Sequence, residues 1–209
     1  MRIDKEAFQF FLVFIFIGIM ILIFAKELIL LSYVFFFLAL FTLFFFRDPN
    51  RKVPGSPGTF VSPADGKIIR IEEVTRDQKT CHMVSIFMSV FNVHINRAPF
   101  NGIIKSISYN PGGFVPAFKD KASLQNEQTE IVLYNQEMGF EISFKMIAGL
   151  IARRIVVRVK EGQSVKAGDR VGLIRFGSRV DVFLPAEVQI RVNLGDRVKG
   201  GKSVIGELA

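Results

Sequence analysis

The chain opens with two apolar blocks. Ala7 to Phe24 is apolar apart from the amide of Gln9, Lys26-Glu27 breaks the run, and Leu28 to Phe46 resumes it with Ser32, Tyr33 and Thr42 as mild polar notes. Each block approaches the roughly 20 residues that a helix needs to cross a bilayer core. The pattern therefore predicts a hydrophobic α-helical hairpin over 1–46. A cleaved signal peptide fits less well, because no small-residue cleavage site follows the first block and a second block comes at once. From residue 59 the text changes to short apolar and β-branched runs punctuated by turn residues. These predict strands over Thr59 to Val61, Lys67 to Val74, His82 to Val90, Ile103 to Tyr109, Glu130 to Tyr134, Phe140 to Met146 and Ile155 to Val159, hence a mostly β domain. Between the two regimes, Arg47-Asp-Pro-Asn-Arg51 and Lys52-Val-Pro-Gly-Ser-Pro-Gly58 read as a linker. The expected organisation is a membrane anchor over 1–46, a linker over 47–58 and a β-rich domain over 59–209.

Charge sharpens this division. The formal net charge is +8, and in residues 1–46 Arg2, Lys5 and Lys26 cancel Asp4, Glu6 and Glu27, so the whole excess lies after the hairpin. A basic domain beside a membrane suits anionic lipid headgroups. Nucleic acid is the other usual partner of basic domains, but the Lys and Arg are scattered and no nucleic-acid motif is present. Arg2 and Lys5 before the hairpin, and Arg47, Arg51 and Lys52 after it, place both ends on the cytoplasmic side of the cell membrane. The short connector leaves a re-entrant hairpin open as well. The single cysteine, Cys81, excludes an internal disulfide and reads as a core residue.

Near the C-terminus a pattern occurs twice. Val159, Gly162, Val165, Gly168 and Val171 share the spacing V-x-x-G-x-x-V-x-x-G-x-x-V with Val192, Gly195, Val198, Gly201 and Val204. This repeat resembles the hammerhead halves of biotinyl and lipoyl domains, in which two similar β units interlock into a flattened barrel-sandwich. No carrier lysine stands at a hairpin tip, which argues against a swinging-arm carrier.

Between the two copies lies Arg175-Phe176-Gly177-Ser178-Arg179-Val180-Asp181, a Gly-Ser bond flanked by β-like text. A serine hydroxyl can attack the carbonyl that precedes its own residue if the peptide is strained and a base is at hand. Gly-Ser is ordinary turn chemistry, and Gly55-Ser56 sits in plain linker composition as an internal comparison. The base must be one of two histidines. His82 opens an apolar strand, whereas His94, in Phe91-Asn-Val-His94-Ile-Asn-Arg97-Ala-Pro99, stands where a strand breaks into a loop. Asp65, in the tight turn Ser62-Pro-Ala-Asp65-Gly66, is the best orienting acid. If Asp65, His94 and Ser178 converge, they have triad logic: the acid fixes the imidazole tautomer, the imidazole takes the proton and the hydroxyl attacks. No metal site is expected.

These stretches, together with Phe45-Phe46-Arg47-Asp-Pro-Asn-Arg51, Tyr109-Asn-Pro-Gly112, Ala117-Phe-Lys-Asp-Lys121-Ala-Ser123, Asn126-Glu127 and Ile147-Ala-Gly-Leu-Ile-Ala-Arg153-Arg154, resemble the short type of the phosphatidylserine decarboxylase proenzyme family. The resemblance implies autocatalytic cleavage between Gly177 and Ser178, with conversion of Ser178 to a covalent pyruvoyl cofactor. It implies a β chain (1–177) associated with an α chain (178–209). The activity implied is decarboxylation of phosphatidylserine to phosphatidylethanolamine in an anionic membrane, with Asp65, His94 and Ser178 as catalytic residues. The pyruvoyl ketone would condense with the serine amine of the lipid and accept the electrons left by carbon dioxide. A homo-oligomer is open to such a chain.

One departure is visible. Longer bacterial members carry a second histidine three residues before the counterpart of His94, where this chain has Phe91. Arg97, Lys119, Lys121, Arg153 and Arg154 are candidates for meeting the lipid phosphate, although solvated surface charges need no such role. Two other readings compete: a decarboxylase of another seryl lipid such as archaetidylserine, and a membrane-anchored lipoyl-like adaptor without chemistry. The adaptor is disfavoured because such proteins carry long heptad helices, and no sustained a/d pattern occurs here.

Overall fold

A computed structural model describes residues 1–55, 58–76, 78–113, 126–149, 154–175 and 177–208. Ser56, Lys119, Lys121, Arg153 and Phe176 lie outside the described residues. The chain divides into two compact units, Met1–Asn50 and Arg51–Ala209.

The first unit follows from its apolar text. β1 (Arg2–Ile3) leads into α1 (Glu6–Phe24), a 3₁₀ turn at Lys26–Leu28 leads into α2 (Ile29–Phe45), and β2 (Arg47–Asp48) follows. Asp4 Oδ1 accepts the Glu6 amide at 3.0 Å, which satisfies one of the free donors at the start of α1. The Ser32 and Thr42 hydroxyls donate back to the Ile29 and Leu38 carbonyls at 2.7 and 2.9 Å, so the polar notes are paired within the helix. At Gly18 the helices are close, since a Cβ there would stand 2.6 Å from the Phe36 ring. Leu12, Phe16, Leu30 and Phe37 point outward and are exposed. Both helices, the second counted with the turn before it, are long and apolar enough to cross a membrane. Antiparallel pairing of β1 with β2 joins the two ends of the hairpin.

The second unit is β throughout its described residues. Its strands are β3 (Thr59–Val61), β4 (Gly66–Arg76), β5 (Lys79–Met88), β6 (Ile95–Arg97), β7 (Gly102–Asn110), β8 (Gln128–Asn135), β9 (Phe140–Ala148), β10 (Ile155–Val157), β11 (Ser164–Val165), β12 (Arg170–Ile174), β13 (Ser178–Pro185), β14 (Val188–Ile190), β15 (Arg197–Val198) and β16 (Val204–Leu208). An eight-stranded sheet runs β11-β7-β8-β9-β13-β5-β4-β15, and two three-stranded sheets run β10-β12-β6 and β14-β16-β3. Alternate residues of β13, namely Val180, Val182 and Leu184, enter the core with Ile86, Met88, Phe144 and Met146. Cys81 is half-buried at a sheet end, so it is only partly a core residue; burial pushes its thiol pKa up, and the Arg76 charge opposes this.

The repeat read from the sequence organises this unit as two interlocked halves. The Gly168 amide donates to the Ala98 carbonyl at 2.8 Å, and the Gly201 amide donates to the Ser62 carbonyl at 2.8 Å. Ile104 N–H reaches the Gln163 carbonyl and Ile68 N–H reaches the Asp196 carbonyl, each at 2.9 Å. The halves also exchange bonds directly: Arg97 N–H to the Pro63 carbonyl at 2.8 Å and Val61 N–H to the Pro99 carbonyl at 2.9 Å. Ser62-Pro-Ala-Asp65-Gly66 and Ala98-Pro-Phe-Asn101-Gly102 are thus equivalent turns, and β3 and β6 are equivalent strands. Each of those strands meets its partner with the same register shift, between Val204 and Gly206 for β3 and between Arg170 and Gly172 for β6. Gly162, Gly168, Gly195 and Gly201 all have positive φ, which is why both copies keep glycine at those positions.

Candidate active site

The Gly177-Ser178 bond stands at the head of β13, between β5 and β9. Ser178 is opposite Met88 on one side and Ala148 on the other, and is fully buried. Gly177 has φ +74, in the left-handed region, and a Cβ there would meet nothing within 4 Å. Its glycine is therefore required by torsion rather than by crowding. The Ser178 hydroxyl faces the Met88 thioether at 3.2 Å, a weak acceptor that holds it loosely.

His94 is brought to this bond. Its Nε2 accepts the Gly177 amide at 3.3 Å, and its Nδ1 lies 3.0 Å from the Asn92 carbonyl. An N–H donor on one side and a carbonyl on the other fix the tautomer, because Nε2 must offer its lone pair and Nδ1 must carry the proton. The buried imidazole thus presents a basic nitrogen to the peptide that the sequence singled out. His82 is not part of this cluster. It pairs with Leu184, about 20 Å along the strand at roughly 3.4 Å per residue, and its Nε2 lies 3.2 Å from the Ala186 carbonyl.

Asp65 is engaged elsewhere. Its Oδ1 accepts the Gly200 amide at 2.7 Å and its Oδ2 accepts Arg51 Nη2 at 2.8 Å, and no hydrogen bond joins it to His94. The equivalent turn explains half of this arrangement. Asn101 Oδ1 accepts the Ala167 amide at 2.8 Å, so binding the repeat's backbone is architectural in both halves. What a carboxylate adds over the Asn101 amide is the bond to Arg51.

Two buried polar groups beside Ser178 were not singled out by the sequence. Arg179 is fully enclosed, and its guanidinium forks onto Asp181 with Nε–Oδ1 at 2.6 Å and Nη2–Oδ2 at 2.9 Å, while Nη2 also reaches Ser85 at 3.1 Å. The second is Asn96 on β6. It is completely buried, its Nδ2 reaches only as far as the Met88 sulfur at 3.7 Å, and its Oδ1 has no partner. Aligning the two Pro-containing turns in the sequence would have exposed Asn96, since it occupies the place of Phe60.

Of the residues considered for the lipid phosphate, Arg97 is buried and donates to the Gly168 carbonyl at 2.8 Å, a fold-holding contact. Arg154 is exposed. Phe91, which stands where the longer members have histidine, is 67% exposed and so leaves that side of the loop open to solvent. Among the described residues no cluster of His, Cys, Asp and Glu could hold a metal ion.

The family described as phosphatidylserine decarboxylase matches residues 38–206, a span that includes the His94 loop and the Gly177-Ser178 bond. The chain belongs to the phosphatidylserine decarboxylase family. Among its relatives, the phosphatidylserine decarboxylase proenzyme of Syntrophus aciditrophicus is 52% identical over 170 residues, covering 80% of this chain and 79% of that one. The proenzyme of Desulfotalea psychrophila is 45% identical over 187 residues, with 88% and 87% covered. That of Oleidesulfovibrio alaskensis is 48% identical over 179 residues, with 84% and 81% covered. Among solved structures, the glucose permease IIA of Mycoplasma capricolum overlaps 71% of this chain and 93% of its own, with 16% identity and a TM-score of 0.40, too low to bear on the fold.

Proposed function

We propose that this phosphatidylserine decarboxylase family member cuts itself between Gly177 and Ser178, converts Ser178 to a pyruvoyl group and decarboxylates phosphatidylserine to phosphatidylethanolamine. The observation that carries the reading is the His94 lone pair set 3.3 Å from the Gly177 nitrogen, beside a left-handed glycine and a loosely held serine. In the first step Ser178 Oγ leaves the Met88 sulfur by a χ1 rotation and bonds to the Gly177 carbonyl carbon. The bond from that carbon to the Ser178 nitrogen breaks, and the hydroxyl proton passes by way of His94 Nε2 to the nitrogen. Loss of the residue 178 α-hydrogen as a proton then expels the Gly177 carboxylate from Cβ and leaves an enamine, which takes a proton back at Cβ to become an imine. Water next replaces the nitrogen, which leaves as ammonia. The pyruvoyl group so made supplies a ketone that binds the lipid amine and takes up the electron pair left by carbon dioxide.

The remaining parts follow from the same reading. Asp65 is the proposed acid behind His94, a role in which Nδ1–H exchanges the Asn92 carbonyl for the carboxylate. Residues 1–46 are the anchor, 47–58 the linker and 59–209 the catalytic domain, in which the interlocked halves form the hammerhead arrangement of biotinyl and lipoyl domains. The hairpin sits in the cell membrane with the basic domain on the cytoplasmic side, close to anionic lipid. After cleavage the α chain stays with the β chain because β13 is hydrogen-bonded on both edges, to β5 and to β9.

Intact-mass measurement of the full chain in detergent tests this reading. The expected result is two fragments divided after Gly177, the C-terminal one lacking a free amine. Ser178→Ala and His94→Ala should remain single chains, and Asp65→Asn, which can keep the Gly200 bond as Asn101 keeps its own, should fold and cleave slowly. A persistent full-length mass in the parent, or normal cleavage in His94→Ala, would refute the assignment.

A further inference from the structure

The interlocked halves provide a comparison within one molecule, and it singles out Asn96. Phe60 and Asn96 are equivalent: each is the central residue of its strand, each is wholly buried, and each faces a glycine, Gly206 or Gly172, across the same register shift. Phe60 does what a core position ordinarily does, stacking on Phe100 with centroids 4.4 Å apart. Asn96 buries a carboxamide in the equivalent slot, with Oδ1 unpartnered and Nδ2 against a thioether at 3.7 Å. Turning the amide over does not help, since one end is orphaned either way. An unsatisfied buried polar atom is destabilising, and the fold has an apolar solution to the same position in its other half. Folding therefore does not account for Asn96.

Its surroundings supply a reason. The Met88 sulfur that Asn96 Nδ2 approaches is the same atom that receives the Ser178 hydroxyl at 3.2 Å, so the carboxamide and the reacting serine flank one sulfur. Asn96 is also two residues beyond His94 on the same segment. On the self-cleavage reading above, attack by Oγ converts the residue 178 peptide N–H into a free amine, creating donors that the precursor did not have. We propose that the Asn96 carboxamide oxygen accepts a hydrogen bond from this newly freed amine. It thereby positions residue 178 for loss of the α-hydrogen, departure of the Gly177 carboxylate and exchange of ammonia for water. The orphaned acceptor of the precursor is the partner of a donor that arises only once the peptide bond has broken. Without it, the ester is left to ordinary hydrolysis, in which water attacks the Gly177 carbonyl and residue 178 remains a serine. Asn96 is a positioning residue in this scheme.

The test is the mass of the α fragment over time in the full chain in detergent, comparing the parent, Asn96→Leu and Asn96→Asp. A serine-ended fragment is heavier than a pyruvoyl-ended one by one ammonia, so the two fates separate without any activity assay. The expected result is that Asn96→Leu yields mostly serine-ended or ester-linked product and forms the pyruvoyl end about tenfold more slowly, the order lost with one hydrogen bond. Asn96→Asp, which retains an acceptor oxygen, should recover pyruvoyl formation. Pyruvoyl ends formed at the parent rate in Asn96→Leu, or equal failure of Leu and Asp, would overturn the proposal. The Leu substitution is also introduced into the uncleavable Ser178→Ala chain, where its melting temperature should hold or rise, as at Phe60; a fall would make Asn96 a structural residue and overturn the inference. A parent chain that never forms a blocked end refutes the self-processing reading instead.

Discussion

Removing the carboxylate of Asp181 should destabilise the precursor more than any surface substitution. Arg179 and Asp181 have side chains 0% and 1% exposed, with contacts of 2.6 and 2.9 Å between them. In Asp181→Asn the guanidinium keeps its burial and loses its countercharge, a situation that costs about 3–5 kcal/mol. That is a large share of the roughly 5–15 kcal/mol that holds a domain folded. At about 2–4 °C per kcal/mol for a unit of this size, the melting temperature should fall by roughly 6–20 °C. The assay is thermal and denaturant unfolding of the full chain in detergent in a Ser178→Ala background, so that one uncut chain is compared throughout. The pair is expected to be costly to break yet dispensable as a whole. Arg179 Nη1 already lacks a partner, so the apolar double variant Arg179→Met/Asp181→Leu should regain most of the loss or exceed the parent. Loss of under about 1 kcal/mol in Asp181→Asn, or a double variant worse than either single one, would refute the reasoning. The pair sits immediately after the Gly177-Ser178 bond, and on the proposed cleavage both partners stay in the α chain. It should therefore stiffen the new N-terminus while the rest of β13 is held by its neighbours.

At Gly177, alanine has room for its Cβ but not for φ +74, a cost of about 1–2 kcal/mol that should slow self-cleavage roughly 5- to 30-fold when followed by gel; cleavage at the parent rate would show that this backbone conformation is not the reactive one. For Glu130, burial opposes ionisation, but the Arg76 and Ser143 hydrogen bonds and the Arg76 and Lys145 charges outweigh it and hold the carboxyl below its ordinary 4.5. A lowered pKa in the folded state contributes stability above the ordinary value, which is lost as the pH falls through the lowered one. The melting temperature of Glu130→Gln should therefore be lower than the parent's near neutrality and converge with it in acid, whereas parallel curves would remove the role given to the Arg76 contact at 2.7 Å.

The alternation of apolar and polar positions placed most elements within a few residues. Thr59 to Val61 is a strand as read, and Phe140 to Met146 is extended only to Ala148, because side-chain periodicity is a local property that the sequence carries directly. The spacing of Val159 to Val171 and of Val192 to Val204 likewise announced two matched units, since left-handed turns select glycine wherever the chain folds in that way. Ile155 to Val159 was read as a strand and forms β10, whereas β11, β12, β14, β15 and β16 were not assigned, because their pairing partners are distant in sequence and runs of two to five residues leave little period to detect.

The site divides along the same line. Gly177-Ser178, His94 and Asp65 were nameable from residue chemistry, and the meeting of His94 with Gly177 across 83 positions is real, at 3.3 Å. The sequence by itself determined the membrane-compatible hairpin, the β character and the repeat, which are written in local periodicity and residue type, and it offered Gly177-Ser178 as a candidate bond. Only the tertiary structure decided that His94 Nδ1 faces the Asn92 carbonyl while Asp65 is bonded to Gly200 and Arg51. It also decided that Asp65 spends one oxygen on the repeat's backbone, that Arg179 and Asp181 are buried together, and that Asn96 occupies a core slot beside Ser178. Burial and the direction of a side chain are sums over neighbours drawn from the whole chain, and no window of sequence contains them.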